Sequence, residues 1–205
     1  MIALIDYGAG NLTSVRKALD ALGATFVVPR SPAQCADARA LIVPGVGHFA
    51  ATSALDAAWR DAIAGTVRAG TPLLGICVGM QWLYEGSEEA PDVAGLGLLA
   101  GRCRLLRGSP AERLKVPHVG WNALQIGGGA RASRLLRGIA SGAHVYFTHS
   151  YAAPVTDDCA AATTHAEPFA AAVARGHVFG VQFHPEKSGD TGLRILRNFL
   201  ELAGC

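Results

Sequence analysis

The sequence predicts an α/β fold in which a mixed, mostly parallel central sheet is flanked by helices in three layers. Three observations support this prediction: short apolar runs alternate with helical patterns in the first half, further strands follow, and a helical segment comes last. Parallel strands read as continuous apolar runs because both of their faces are buried. Half of the 205 residues are hydrophobic, so we expect one domain covering residues 1–205.

The first half alternates strands with helices. Its strands are short apolar runs, and its helices repeat apolar residues at intervals of three and four. Asn11 precedes the first helical pattern and belongs to a residue type that caps helices. In chain order we predict a strand at 2–7, a helix with Leu12, Val15, Leu19 and Leu22 on one face, a strand at 40–43, a helical stretch at 49–69, a strand at 72–76 and a helical run at 80–84.

The second half has a different sequence pattern, in which predicted strands follow one another with little helix between them. Such a pattern is typical of mixed or antiparallel pairing. We predict strands at 96–106, 118–126, 143–151 and 177–184, a glycine loop at 127–129 and a final helix at 191–203.

Composition argues against several classes of function. The net charge is +2, from 18 basic and 16 acidic residues scattered along the chain, so we expect no nucleic-acid partner. Because the sequence has no basic leader and no apolar run of roughly 18 residues, we expect a cytoplasmic protein without a membrane span. The five cysteines form no CxxC pair, so we expect neither a disulfide framework nor a metal site, and no cofactor motif is present.

The strongest local signal is Cys77, which stands between Gly75 and Gly79 where an apolar strand meets a helical run. Small neighbours on both sides are typical of a nucleophile elbow, a strained turn that presents its central residue at a helix N-terminus. There the helix dipole favours a thiolate. Taken alone, Cys77 is explained equally well as a small apolar residue at the end of a core strand.

A nucleophilic thiol needs a base, and His184 is the candidate. It follows an apolar strand and is itself followed by Pro185 and Glu186. In extended backbone, His184 and Glu186 project to the same side, so the carboxylate can orient the imidazole. An isolated His-Pro-Glu segment is more simply read as a surface loop, and the pair gains specificity only together with Cys77.

A glycine-rich turn at 44–47 follows the second predicted strand and supplies candidate oxyanion donors. Backbone N–H groups of Val46 and Gly47 can turn towards a developing negative charge, and the N–H of Val78 is the natural second donor. By itself the segment is better explained as an ordinary turn between a strand and a helix.

Together these segments closely resemble class I glutamine amidotransferases, and within that class the glutaminase subunits of imidazole glycerol phosphate synthases. The resemblance implies a flavodoxin-like fold with a nucleophile elbow. It rests on five segments that span most of the chain: IDYGAGN at 5–11, PGVGHF at 44–49, KVPHVGWN at 115–122, YFTHSY at 146–151 and GVQFHPEKS at 180–188.

The resemblance implies a catalytic triad of Cys77, His184 and Glu186. Glutamine would be bound by five residues that match family positions: Gly47, Gln81, Glu89, Ser150 and Tyr151. For Gln81, on the helical face of the nucleophile, binding is favoured, whereas for Glu89 a solvated loop position is nearly as good an explanation.

The resemblance also implies a partner, a (β/α)₈ cyclase subunit that receives the ammonia and uses it in histidine biosynthesis. Trp121 and Tyr146 are large aromatics that suit either an interface or a core. The matching interface positions are Asn11, His118, Trp121, Asn122, Tyr146 and Lys187.

Three alternatives remain open at this stage. The glutaminase could serve another synthase, such as those of anthranilate, aminodeoxychorismate or pyridoxal phosphate. A cysteine peptidase would use a Cys-His dyad on a similar sheet, and a scaffold subunit would carry an inactive site.

Overall fold

The computed structural model describes residues 1–9, 11–109, 111, 114–127 and 133–205. Gly10 of the first family segment, and Gly128 and Gly129 of the predicted loop, lie outside these ranges. Within them, the chain folds around one eight-stranded sheet, with two smaller sheets beside it.

The main sheet is parallel at one end and antiparallel at the other. Its strands are β1 (Ile2–Leu4), β2 (Phe26–Val27), β3 (Ala40–Gly45), β4 (Leu73–Cys77), β8 (Gln125–Ile126), β11 (Cys159–His165), β12 (Glu167–Arg175) and β13 (Val178–Val181). They lie in the order β2-β1-β3-β4-β13-β12-β11-β8. Neighbouring strands from β2 to β13 run parallel, and the remaining pairs are antiparallel.

The two smaller sheets are built from strands between residues 86 and 152. One has the order β10-β6-β5, and the other pairs β7 with β9 in antiparallel register, so that Trp121 faces Tyr146 and His118 faces His149. Their strands are β5 (Gly86–Ser87), β6 (Arg102–Leu105), β7 (His118–Ala123), β9 (His144–His149) and β10 (Tyr151–Ala152).

Four α-helices flank the sheets: α1 (Leu12–Ala21), α2 (Ala57–Arg68), α3 (Val78–Trp82) and α4 (Gly189–Leu202). The last helix shows why amphipathic segments fold here, since Ile195, Leu196 and Phe199 are fully buried along one face. α3 packs against β3 and β4. The predicted α/β architecture with a mixed, mostly parallel sheet is therefore confirmed.

Several predicted elements were too long. The strand predicted at 2–7 ends at Leu4, the one at 96–106 spans only Arg102–Leu105, and the one at 177–184 ends at Val181. The helical stretch predicted at 49–69 is divided, because the Asp56 side chain accepts a hydrogen bond from the N–H of Trp59 and starts a new helix.

The hairpin of β11 and β12 was missed altogether. Both strands are rich in alanine, which has high helix propensity and is depleted in strands. Burial between neighbouring strands outweighs that preference, since Ala170, Ala171 and Ala172 are fully buried.

Candidate functional site

Cys77 lies at a strained turn between β4 and α3. Its φ is 54° and its ψ is −112°, a conformation that L residues rarely adopt. The turn needs glycine on both sides: a Cβ on Gly75 would lie 2.6 Å from the carbonyl oxygen of Gly79, and a Cβ on Gly79 would overlap the carbonyl oxygen of Val43. This geometry is that of a nucleophile elbow, as the sequence predicts.

His184 and Glu186 form a buried pair beside this turn. Nδ1 of His184 lies 2.8 Å from Oε1 of Glu186, and the two side chains are 2% and 0% exposed. The extended backbone predicted for this pair was wrong, because residues Pro185–Lys187 form a 3₁₀ turn. The turn, which begins at proline, brings the carboxylate back under the imidazole.

Asn11 supports the same carboxylate. It was predicted to cap α1, but its side chain makes no cap hydrogen bond. Instead its Nδ2 donates to Oε1 of Glu186 at 2.9 Å. Asn11 therefore links the beginning of α1 to the triad, across 175 positions in sequence.

The charge state of His184 follows from opposing influences. Burial lowers its pKa, but interactions with Cys77 and Glu186 outweigh burial and raise the pKa to about 9. Within the described residues, Nε2 of His184 makes no well-aligned hydrogen bond. With Nδ1 held by Glu186, Nε2 is left to exchange a proton with the thiol.

The backbone N–H groups predicted to bind an oxyanion differ in whether they face the cavity at Cys77. β3 lies beside β4, and Gly45 pairs with Cys77, so the glycine turn reaches the nucleophile as predicted. Gly47 and Val78 line the cavity at Cys77. The N–H of Val46, however, donates to the carbonyl oxygen of Ala9 at 3.2 Å and is not directed at the site.

A cavity of about 260 Å³ opens beside the sulfur of Cys77. All five residues predicted to bind glutamine line it: Gly47, Gln81, Glu89, Ser150 and Tyr151. The carboxylate of Glu89 accepts a hydrogen bond from the N–H of Phe49 at 2.8 Å, so it is held towards the cavity rather than solvated in a loop. The cavity therefore presents the predicted glutamine-binding residues beside the sulfur of Cys77.

A chain of neutral histidines leads from this cavity towards β7. Nδ1 of His149 lies 2.9 Å from the carbonyl oxygen of Tyr151, which can only accept, so this nitrogen carries the proton. Nε2 of His149 must then accept from Nδ1 of His118 at 3.1 Å, and Nε2 of His118 accepts from Asn122 at 3.3 Å. Burial lowers the pKa of His118 to about 4 and that of His149 to about 3, consistent with neutral rings.

The residues predicted to meet a partner divide into exposed and buried groups. Trp121 is 56% exposed, and its ring packs edge-on to Tyr146 with centroids 6.0 Å apart. The ammonium of exposed Lys187 lies 6.0 Å from the centre of the Tyr146 ring. His118 is only 4% exposed, so its side chain lies beneath the surface and reaches it through Asn122.

Sequence reasoning missed two groups that contact the nucleophile. Nε2 of Gln182 lies 3.7 Å from the sulfur of Cys77, and the carbonyl oxygen of Thr148 lies 4.0 Å from it. A glutamine within the apolar run at 178–183 was the available signal, since a buried amide needs hydrogen-bond partners. No sequence pattern identifies the backbone carbonyl.

The described part of the chain contains no cluster of three or more His, Cys, Asp or Glu residues arranged to hold a metal ion. None of the helices described is both long and apolar enough to cross a membrane.

Comparisons with known proteins agree with this geometry. Residues 3–203 match the family model of class I glutamine amidotransferases. The chain is 48% identical to imidazole glycerol phosphate synthase subunit HisH of Deinococcus radiodurans, over 97% of this chain and 92% of that protein. It is 49% identical to the same subunit of Xanthomonas euvesicatoria, over 98% of each chain.

Solved structures show the same fold at lower identity. A crystal structure described as a glutamine amidotransferase superposes with a TM-score of 0.74 at 22% identity, over 100% of this chain and 99% of the other. The chain therefore belongs to the class I glutamine amidotransferase family and, within it, to the HisH subunits of imidazole glycerol phosphate synthase.

Proposed function

We propose that this chain hydrolyses L-glutamine at Cys77 and supplies ammonia to the cyclase subunit of an imidazole glycerol phosphate synthase, in histidine biosynthesis. The observation that carries the proposal is the buried His184–Glu186 pair beside an elbow cysteine, at a cavity lined by the predicted glutamine-binding residues. The chain is an enzyme of the glutamine amidotransferase class. Its HisH relatives favour imidazole glycerol phosphate synthase over other synthases as the enzyme that receives the ammonia.

In the proposed reaction, the thiol proton of Cys77 passes to Nε2 of His184, and the resulting thiolate attacks the side-chain amide carbon of glutamine. Glu186 accepts the Nδ1–H, fixes the tautomer and stabilises the imidazolium. His184 then gives the proton to the leaving nitrogen, and ammonia departs. Water hydrolyses the thioester with His184 as base, releasing glutamate and restoring the thiol.

Substrate recognition follows from the groups around the cavity. The Glu89 carboxylate is anchored through one oxygen to Phe49, and its charge suits the α-ammonium group of glutamine. Both hydrogens of the Gln81 amide are engaged within the protein, so only its oxygen remains for the substrate. Ser150 and Tyr151 also line the cavity.

We propose that a (β/α)₈ cyclase subunit docks on the surface formed by Trp121, Tyr146, Lys187 and Asn122. Trp121 is exposed and Tyr146 is half-buried; large aromatics of this type anchor interfaces, and Tyr146 lies beside Lys187, next to Glu186. Asn11 and His118 are also assigned to this region, where they act through Glu186 and Asn122.

Docking is proposed to complete the oxyanion hole. The Val46 N–H is directed at Ala9, so a change in this turn must redirect it before it can join Gly47 and Val78. A partner that binds the redirected form more tightly shifts the population towards it. Glutaminase turnover should therefore be low in the chain alone.

The proposal includes one domain over residues 1–205, supported by the single central sheet and by the family match at 3–203. A cytoplasmic location is proposed as well, because the attacking thiol must stay reduced. The match to the glutamine amidotransferase family and the HisH relatives disfavour the cysteine peptidase alternative, which needs an open cleft for extended peptide.

The test is glutamate release from glutamine by the purified chain, with and without a histidine-pathway cyclase subunit and its nucleotide ligand. We expect strong stimulation that disappears in Cys77→Ala. Cys77-dependent hydrolysis that is indifferent to the cyclase would assign the chain to another synthase, and hydrolysis of casein would favour a peptidase. The absence of activity under every condition would indicate an inactive site.

A further inference from the structure

A pair of buried glutamines lies directly beneath the nucleophile. Gln182, just after β13, is 0% exposed, and Gln81 on α3 is 2% exposed. A buried primary amide destabilises a protein unless its donors and acceptor are satisfied. Two such amides in contact with each other, with one of them against Cys77, therefore call for a functional explanation.

The orientation of both amides follows from one backbone carbonyl. Nε2 of Gln81 lies 2.8 Å from the carbonyl oxygen of Tyr151, which can only accept, so this atom is the nitrogen. The same nitrogen lies 3.2 Å from the amide of Gln182, whose facing atom must be the oxygen. The remaining end of Gln182, 3.7 Å from the sulfur of Cys77, is therefore an N–H donor.

An N–H donor held against the sulfur of Cys77 interacts differently with the thiol and with the thiolate. A thiolate accepts an N–H hydrogen bond strongly, whereas a neutral thiol is a weak acceptor, so the contact favours the charged form. Three sets of titratable groups lie near the sulfur of Cys77: His184 with Glu186 after β13, Tyr7 after β1, and His149 at the end of β9. Within the described residues, neither the hydroxyl of Tyr7 nor Nε2 of His184 makes a hydrogen bond to the sulfur, whereas Nε2 of Gln182 does.

We propose that Gln182 stabilises the Cys77 thiolate through its Nε2–H, and that Gln81 is a positioning residue that fixes the orientation of the Gln182 amide. The proposal deepens the glutaminase function and rests on Cys77 being the nucleophile. It also changes the role assigned to Gln81, which holds a second amide in place as well as lining the cavity.

The test is the pH profile of Cys77 alkylation by iodoacetamide, followed by peptide mass spectrometry so that exposed Cys205 is counted separately. Gln182→Leu removes the donor at similar volume. We expect the half-maximal pH of alkylation to rise by about one unit, so that alkylation slows about tenfold on the acidic side. The Cys77→Ala protein gives the background.

The matched control is Asn198→Leu. Asn198 is also a buried amide, 2% exposed, and it donates to the carbonyl oxygens of Leu135 and Arg137, away from Cys77. This variant should lose stability without moving the alkylation profile. Gln81→Leu should give a smaller upward shift than Gln182→Leu, because the donor remains but loses its orientation.

An unchanged profile in folded Gln182→Leu would overturn the proposal. If that variant does not fold, Gln182→Met and Gln81→Leu are measured instead, and unchanged profiles in both would overturn it equally. Alkylation requires neither glutamine nor a partner, so the outcome is separate from glutaminase activity. If the Gln182→Leu variant hydrolyses glutamine normally and its alkylation profile does not shift, the proposed function stands and this inference is wrong.

Discussion

The two sides of the candidate site differ in how completely they are assembled. On the proton-transfer side, Glu186 is fully buried and holds both His184 and Asn11 at hydrogen-bond distance. On the oxyanion side, the N–H of Val46 is bonded to Ala9 instead of facing the cavity. Burial fixes the first side in the core, whereas the second depends on a surface turn that a partner can alter.

The largest predicted effect concerns the proton-transfer side. Cys77→Ala should lower glutamine turnover by at least about a thousandfold, because no other thiol lines the cavity among the described residues. Glutamate release measured with the partner present checks this. Residual turnover within tenfold of the parent would show that the chemistry lies elsewhere.

The elbow can be tested by stability instead of activity. Gly79→Ala should destabilise the protein by about 3 kcal/mol or more, because its Cβ would overlap the carbonyl oxygen of Val43. Gly65→Ala, in the interior of α2 with open space around it, is the matched control and should stabilise by about 0.5–1 kcal/mol. Urea unfolding of both variants distinguishes the sites, and equal effects would contradict the predicted overlap.

The buried histidines predict loss of stability in acid. Burial lowers the pKa of His118 to about 4, so the unfolded chain binds a proton more readily and stability is lost as pH falls from 6.5 through about 4. The expected loss is about 2 kcal/mol by the lower part of this window, and His118→Phe should remove that share. Urea midpoints across the window provide the measurement. The same slope in the variant would show that His118 does not contribute.

The smallest predicted effect concerns Asn11. Asn11→Ala removes one of the two donors to Glu186 and should lower kcat/KM about tenfold. Because the side chain does not cap α1, the urea midpoint should change little. A stability loss typical of a lost cap, with activity intact, would mean that the contact with Glu186 is unimportant.

The sequence was most informative where sterics leave little choice. Gly75 and Gly79 are required by close backbone approach, so local spacing indicated the elbow, and His184 with Glu186 made that interpretation of Cys77 specific. The parallel half of the sheet was equally predictable from the sequence, because buried strands such as β3 and β4 are continuously apolar.

What the sequence did not reveal depends on tertiary contacts. Asn11 has the identity of a cap but bonds to Glu186, and His184 meets Glu186 through a 3₁₀ turn that local spacing did not indicate. The alanine-rich strands β11 and β12 form despite their propensity. Gln182 is identified only once the neighbouring strand places Cys77 beside it.

The most direct test of the difference between the two sides combines two rates measured on the same protein. Alkylation of Cys77 by iodoacetamide needs the thiolate but no oxyanion donor, whereas glutamine hydrolysis needs both. When the cyclase subunit and its nucleotide ligand are added, we predict a rise in glutamate release of about a hundredfold, the typical value of one oxyanion donor, with little change in alkylation. A parallel rise in both rates would contradict the account, because the partner would then be assembling the proton-transfer side.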